Sequence, residues 1–200
     1  MDLAVIAITF GAIFVVELPD KTFIAALVLS TRYRPLLVWL GVGTAFLIQT
    51  LIAVTVGQAV TFLPDTLVKA VAAAIFVAGA ILLFREAPKA DAEEAETEEE
   101  YAAKATEART GFRAVLASFL VLFAAEWGDL SQLLTISLVG RFHEPVSVFI
   151  GAWVALLVVS GLACVMGRVL LRYVKLSVIH YVGAAVCLVL ATVTVSELLA

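Results

Sequence analysis

Two short acidic motifs interrupt apolar stretches of this 200-residue chain. They occupy residues 17–22, ELPDKT, and residues 126–131, EWGDLS, and they begin 109 positions apart. In each motif an aspartate follows a glutamate by three positions, and a hydroxyl residue follows the aspartate by two. Ionisable side chains at membrane depth are costly, so carboxylates kept there indicate a functional site.

The chemistry that these residue types favour is the binding of a hard cation. Four unpaired carboxylates cannot all stay charged in a low-dielectric site, so such a group takes up protons, a cation, or both. Carboxylate, hydroxyl and amide oxygens suit calcium, manganese or magnesium, and neither motif contains a cysteine, methionine or histidine for a softer metal. The candidate metal ligands are Glu17, Asp20, Thr22, Glu126, Asp129, Ser131 and Gln132.

Three other residues are candidates for accessory roles. Lys21 could neutralise a carboxylate of the empty site, or it could snorkel or form a structural ion pair. Gln49 could line a pathway or join two helices through its amide, and Trp127 could form a wall of the site. His143 and His180 are predicted at helix ends away from the motifs, as interfacial residues and not as ligands.

The composition of the chain shows that these motifs lie in a membrane protein. Hydrophobic residues make up 63% of the chain, charged residues 15%, and the mean hydropathy is +1.09, which excludes an ordinary soluble domain.

The chain begins without a basic region or a cleavage site, so we expect the first helix to be retained. Cys164 and Cys187 fall inside apolar segments and form no metal-binding or disulfide pattern. A window of about 20 residues predicts six transmembrane helices, near residues 3–30, 35–63, 66–84, 113–139, 146–171 and 177–199.

The distribution of basic residues predicts the orientation, because loops rich in lysine and arginine stay in the cytoplasm. One side of the membrane would carry only Lys69 and Arg141. The other side would carry ten basic residues, namely Arg32, Arg34, Arg85, Lys89, Lys104, Arg109, Arg113, Arg168, Arg172 and Lys175. Both termini are therefore predicted to be extracytoplasmic, with the first, third and fifth connections in the cytoplasm.

An acidic segment separates the two halves of the chain. It contains Asp91, Glu93, Glu94, Glu96, Glu98, Glu99, Glu100 and Glu107 among alanines. Such a charge run favours a solvated, partly helical or disordered spacer over a collector or sensor of divalent cations. The predicted organisation is a three-helix repeat over residues 1–85, an acidic cytoplasmic linker over 86–112, and a second three-helix repeat over 113–200.

The two halves match beyond the acidic motifs. Residues that recur at a spacing of 110 are Pro35 and Pro145, Gly41 and Gly151, and Gly57 and Gly167. Small residues suited to close helix packing form a stripe on each third helix: Ala70, Ala74 and Ala78, and then Gly183, Cys187 and Ala191. Because three helices per half is an odd number, the second copy enters the membrane from the opposite side. The predicted fold is an all-α polytopic membrane protein of two inverted repeats, an architecture found in many secondary transporters.

The inverted arrangement places the two motifs at similar depth. At 1.5 Å per residue, Glu17 and Glu126 each lie about 20 Å into the membrane, from opposite sides. Positions three apart share a helix face, so Glu17 can converge with Asp20, and Glu126 with Asp129. The proline of the first motif and the glycine of the second favour a break in helices one and four, which would free backbone carbonyls for an ion.

The doubled motif resembles that of a known family. Two copies of Glu-x-Gly-Asp-Lys/Arg-Thr/Ser in two three-helix halves, joined by an acidic cytoplasmic linker, are similar to the calcium/manganese:proton antiporters, which include the Golgi manganese transporter and bacterial manganese exporters. The resemblance covers essentially the whole chain. It implies that the four acids Glu17, Asp20, Glu126 and Asp129 carry metal and protons, with Thr22, Ser131 and Gln132 in support.

The same resemblance implies the transport reaction and its setting. A protein of this family would export Mn²⁺ or Ca²⁺ from the cytosol in exchange for protons, across a bacterial plasma membrane or into an organelle of a eukaryote. Its expected partners are divalent cations and the lipid bilayer, with no cofactor, no nucleic acid and no enzymatic activity. Two positions depart from the pattern: Pro19 replaces the first glycine, and Leu130 replaces the basic residue of the second motif. Lys21 is therefore the one cation of the motifs, and the predicted site is asymmetric.

The charge pattern predicts exchange by alternating access. A site that accepts either a divalent cation or protons on the same carboxylates exchanges one for the other as the two halves rock about it. An exporter of another small cationic solute is the alternative within transporters. An intramembrane aspartyl protease using Asp20 and Asp129 would leave the matched glutamates without a role, and a membrane scaffold would leave all the buried acids without one.

Overall fold

The computed structural model describes residues 1–18, 20–104, 111–173 and 175–199. Pro19, Glu107 and Arg109 lie outside the described residues, as do the side chains of Asp91, Glu94, Lys104, Arg168 and Arg172 and the surroundings of Gly167. Within the described ranges the chain forms eight α-helices: α1 Leu3–Glu17, α2 Lys21–Arg32, α3 Pro35–Val60, α4 Asp65–Lys104, α5 Phe112–Ala125, α6 Leu130–Phe142, α7 Pro145–Tyr173 and α8 Leu176–Leu199.

The helices confirm an all-α polytopic membrane fold. Four segments are each long and apolar enough to cross a bilayer: Pro35–Val60, Thr66–Ala90, Pro145–Val165 and Ser177–Leu199. The remaining helices form two bent pairs, α1 with α2 at 71° and α5 with α6 at 72°. When each bent pair counts as one broken span, the described residues provide the six predicted spans, and the first and fourth are the broken ones.

Contacts between helix ends show that the broken pairs cross the bundle. At one end, the amino group of Met1 lies 3.7 Å from Glu144, and Arg141 pairs with Glu197 at 2.9 Å. This end therefore holds the beginnings of α1 and α7 and the ends of α6 and α8. The end of α2 lies beside the last turns of α4, since residues of both line one small cavity. We refer to that second end as the predicted cytoplasmic end, and to the first as the opposite end.

Matching contacts relate the two halves. Gly41 of α3 packs so closely on α5 that a Cβ atom there would clash with the carbonyl oxygen of Val115. Gly151 of α7 packs on α1 in the same way, against the carbonyl oxygen of Ile6. Stacked phenylalanines one turn apart also recur, Phe10 with Phe14 on α1 and Phe119 with Phe123 on α5. The paired glycines thus mark where the second span of each half crosses the first span of the other.

Helix α4 is longer than the third helix predicted over residues 66–84. It continues through Pro88 to Lys104, so the predicted linker is helical up to that residue; residues 86–104 are called the α4 extension. Its described glutamates beyond residue 90 are exposed, but Ala87, Ala90, Thr97 and Tyr101 are buried. The hydropathy window placed the end of this helix too early. Alanine and glutamate are strong helix formers, so the helix continues where the sequence is no longer apolar.

The contact between α4 and α8 uses a different stripe of α4 from the one predicted. Gly183, Cys187 and Ala191 of α8 are buried as expected, but Ala70, Ala74 and Ala78 of α4 are exposed. The buried residues of α4 in this region are Ala72, Ala73, Phe76, Gly79, Ala80 and Leu83. Alanines fall on every face of α4 here, so small size alone did not identify the packed face.

Candidate metal site

The second acidic motif forms the break between α5 and α6. Helix α5 ends at Ala125, and Gly128 adopts a φ of 75°, a left-handed conformation that glycine enters at little cost. The carboxylate of Asp129 then caps α6, accepting the backbone N–H groups of Ser131 at 3.2 Å and Gln132 at 3.1 Å. A capping aspartate satisfies free N–H groups of the first turn. The motif therefore ends one helix and begins the next.

The first acidic motif forms the corresponding break between α1 and α2. Glu17 is the last residue of α1, and Asp20 caps α2 by accepting the backbone N–H of Lys21 at 2.6 Å. The hydroxyl of Thr22 donates a hydrogen bond of 2.8 Å to Glu17 Oε1. Glu17 and Asp20 thus converge because the chain bends between them. The prediction that they share the face of one helix is wrong, because they belong to two successive helices.

The four acids of the motifs meet in one cluster. Glu17, Asp20, Glu126 and Asp129 each present one carboxylate oxygen, and these four oxygens all lie within 4.8 Å of one another. The glutamates are only 1% and 2% exposed, and the aspartates are half-buried. Oxygens that surround an ion at about 2.4 Å stand at most about 4.8 Å apart. The spacing therefore suits a single calcium-sized or manganese-sized cation.

Two buried polar atoms of this region have no hydrogen-bond partner within the part of the chain that the structure describes. They are Glu17 Oε2 and Gln132 Nε2. An unsatisfied buried polar group costs roughly 1–3 kcal/mol, and more when it is charged. Glu17 Oε2 is therefore an open position for a proton or a cation. The amide oxygen of Gln132 already accepts the backbone N–H of Gly128 at 3.1 Å, which braces the second break.

Neighbouring side chains hold the acids in place. The hydroxyl of Ser131 donates to Asp129 at 2.5 Å, so each motif hydroxyl is bonded to an acid of its own motif. Gln49 of α3 donates to the carbonyl of Phe123 on α5 at 3.1 Å and also lines a cavity of about 10 Å³ beside Glu126 and Asp129. Gln49 thus joins two helices through its amide and also borders the acids; that it lines a transport pathway remains a prediction.

A larger cavity, of about 250 Å³, reaches the cluster from the predicted cytoplasmic end. Its lining includes Asp20, Lys21 and Asp129. The remaining polar residues of its wall are Glu86, Glu93, Thr97 and His180. The cluster therefore communicates with the surface beside the α4 extension.

The α4 extension lies close to the acids. Burial raises the pKa of the Tyr101 hydroxyl to about 12, and the nearby carboxylates of Glu100, Glu126 and Asp20 add to this shift. Tyr101 lies 25 positions before Glu126, the nearest motif residue along the chain, so only the folding of α4 beside α2 brings it near.

Two residues, His180 and Trp127, lie elsewhere than the sequence indicated. His180 is buried and lines the large cavity together with Asp20 and Asp129, so its predicted position away from the motifs is wrong. The reason is that α8 packs along α4, which brings its first turns beside the cavity. Trp127 is 60% exposed and packs edge-on against Phe123, with ring centroids 5.6 Å apart. The structure thus does not place Trp127 in the wall of either cavity near the acids.

Fold and site together define a class of protein. The chain is a polytopic α-helical membrane protein made of two inverted repeats, and the acids of the two repeats meet where the first span of each repeat is broken. Discontinuous helices at a repeat interface are a recurrent way to bind ions in transporters.

Comparison with known families identifies the particular group. A family model described as divalent cation/proton antiporter GDT1 matches residues 5–91 and again residues 114–200. This chain therefore belongs to the GDT1 divalent cation/proton antiporter family. The two matches begin 109 positions apart, which is the spacing of the two acidic motifs.

Several curated proteins are similar to the chain. Protein PAM71-homolog, chloroplastic, from Arabidopsis thaliana is 32% identical over 206 residues, covering 92% of this chain and 57% of the relative. GDT1-like protein 2, chloroplastic, from Oryza sativa subsp. japonica is 31% identical, with 92% and 59% covered. GDT1-like protein sll0615 from Synechocystis sp. is 34% identical over 142 residues, with 66% and 69% covered. The chain spans just under three fifths of the two plant proteins, and no solved structure matches it.

Proposed function

We propose that this protein is a secondary transporter that exports a divalent cation, Mn²⁺ or Ca²⁺, from the cytosol in exchange for protons. The observation that carries the proposal is the buried cluster in which one carboxylate oxygen from each of four acids lies within 4.8 Å of the others. Membership of a divalent cation/proton antiporter family supports it.

Electrostatics requires that this cluster bind positive charge. At an effective dielectric constant of 20, two carboxylates about 5 Å apart repel each other by roughly 3 kcal/mol. Four such groups form six repelling pairs. One of their oxygens, Glu17 Oε2, receives no hydrogen bond from the described residues. A divalent cation or several protons remove this repulsion. Because both occupy the same oxygens, binding of one displaces the other, which is the chemical basis of exchange.

The fold supplies a means of moving the exchanged ions. The large cavity connects the cluster with the predicted cytoplasmic end. In an inverted repeat, the two halves can exchange conformations, which turns an opening at one end into an opening at the other. A proton gradient directed inward would then drive metal outward.

Oxygen chemistry supports the choice of cargo. Carboxylate, hydroxyl and amide groups suit hard cations, and they accept Mn²⁺ and Ca²⁺ alike. The setting we propose is a bacterial plasma membrane, with both termini outside and residues 86–112 in the cytoplasm, as the ten basic residues on one side favour.

Flux in proteoliposomes tests the proposal. Uptake or release of Mn²⁺ and Ca²⁺ is measured with and without an imposed pH gradient for the wild type, Glu17→Gln and Glu126→Gln. Glu96→Gln is the matched control, because Glu96 is an exposed acid of the α4 extension. We expect proton-driven metal flux in the wild type and the control, and loss of flux in both motif variants. Full flux in the Glu17→Gln/Glu126→Gln double variant would refute the proposed site.

A further inference from the structure

Lys21 and Leu130 occupy equivalent positions of the two repeats, each directly after the aspartate that caps a half-helix. Lys21 is exposed in the large cavity at the predicted cytoplasmic end. Leu130 borders the same cavity, and in addition it lies against α4 and α8. A Cβ atom built on Gly79 would be 3.0 Å from Leu130 Cδ1 and 3.5 Å from Cys187 Sγ. Leu130 therefore fills the notch that the missing side chain of Gly79 leaves.

The close packing of α6 continues from this notch to the opposite end. Near the end of α6, a Cβ atom on Gly140 would lie 2.8 Å from Val68 of α4. On the neighbouring side, a Cβ atom on Gly57 of α3 would lie 2.7 Å from Val139 of α6. Three glycines thus allow α6 to approach α3 and α4 along its length, and the contacts are apolar.

The two sides of the acidic cluster therefore differ. On one side a cavity reaches Asp20, Asp129 and Leu130, and beyond Leu130 the close approaches at Gly79 and Gly140 bring α6 against α4. A route from this cavity toward the opposite end along α6 would pass between α6 and α4. Leu130 is the first side chain of α6 and follows Asp129 directly, so it stands at the inner end of that route.

We propose that the contact of Leu130 with Gly79 and Cys187 is the extracytoplasmic gate of this protein. The gate opens when α6 separates from α4, and Leu130 is the residue that positions α6 in the closed state. This inference rests on the proposed transport function, and it adds which helix moves and which contact breaks.

Cys187 provides a native reporter of the gate. Its side chain is fully buried, and its sulfur lies beside the Gly79 notch. In a Cys164→Ala background it is the single thiol of the chain. A membrane-impermeant methanethiosulfonate reagent, added outside intact cells, should then label Cys187 slowly in the wild-type gate and faster when the gate is loosened.

A double-mutant cycle tests the contact itself. Leu130→Ala removes three carbon atoms from the notch, and Gly79→Val adds three. Each single variant should label about tenfold faster than the parent, the first by emptying the notch and the second by overfilling it. The Gly79→Val/Leu130→Ala double variant restores the volume and should return towards the parental rate. Leu133→Ala is the matched control, because Leu133 lies on the same helix and is 39% exposed.

The outcomes separate the gate from the transport function. Parental labelling in Leu130→Ala, equal acceleration in Leu133→Ala, or a double variant faster than both single variants would each overturn the gate. If the wild type shows no proton-driven Mn²⁺ or Ca²⁺ flux while the cycle behaves as expected, the proposed function fails and the packing contact stands. If the wild type transports and the cycle fails, only the gate is wrong.

Discussion

Thr22 donates a hydrogen bond of 2.8 Å to Glu17 across the break between α1 and α2. The equivalent hydroxyl of the second repeat, Ser131, donates instead to the capping aspartate, Asp129. The two halves of the cluster are therefore not equivalent. Glu17 has one oxygen held by a hydroxyl and the other, Oε2, without a partner among the described residues.

The hydroxyl of Thr22 should contribute to metal binding through Glu17. Thr22→Val keeps the shape of the side chain but removes the donor that orients Glu17. Hydrogen bonds to charged groups contribute about 1.5–3 kcal/mol, so we expect the apparent Mn²⁺ affinity in flux assays to fall by at least about tenfold. Thr55→Val is the control, because Thr55 is exposed and bonds only a carbonyl of its own helix, that of Leu51. Equal affinities in the two variants would contradict the assigned role.

Metal binding and proton binding should compete. If the four acids share protons when no metal is bound, a divalent cation must displace these protons. Lower pH then leaves more protons on the cluster, so the apparent affinity for Mn²⁺ should fall as pH falls and rise as pH rises. The measurement is the Mn²⁺ concentration that gives half of the maximal thermal stabilisation of purified protein, at several pH values.

The size of that stabilisation is also predicted. A ligand at 100 times its Kd stabilises the folded state by about 2.7 kcal/mol, and a chelator should reverse the effect. Glu17→Gln/Glu126→Gln should lose it, while Glu96→Gln should retain it. A half-maximal concentration that does not change with pH would argue against shared sites for metal and protons.

The backbone of the second break should be sensitive to a single methyl group. Gly128 has a φ of 75°, and residues with a Cβ atom adopt this conformation at a cost of about 1–2 kcal/mol. We expect Gly128→Ala to lower the melting temperature and to weaken Mn²⁺ binding, because the break positions Glu126 and Asp129. Gly11→Ala is the control, since Gly11 lies in helix α1 and a Cβ atom there meets nothing within 4 Å. That change should be neutral or slightly stabilising. A Gly128→Ala protein as stable as Gly11→Ala would show that the break does not depend on the left-handed glycine.

Local features of the sequence were enough to predict the class of fold and the residues of the cluster. Hydropathy is a property of short windows, so it identified six spans, and the repetition of acid, helix breaker and hydroxyl pointed to Glu17, Asp20, Glu126 and Asp129. The structure confirms the spans and brings these four acids together. That they bind metal remains a prediction.

Other features depend on which helices pack against each other, and the tertiary structure alone decided them. His180 lies at the cavity because α8 follows α4, and Tyr101 comes near the acids because α4 continues as a helix beside α2. Lys21 and Leu130 are equivalent in the repeat and both border the large cavity, but Leu130 also fills a notch at Gly79. Burial and contact are relations between residues distant in the chain, whereas hydropathy and motif spacing are read from neighbours along it.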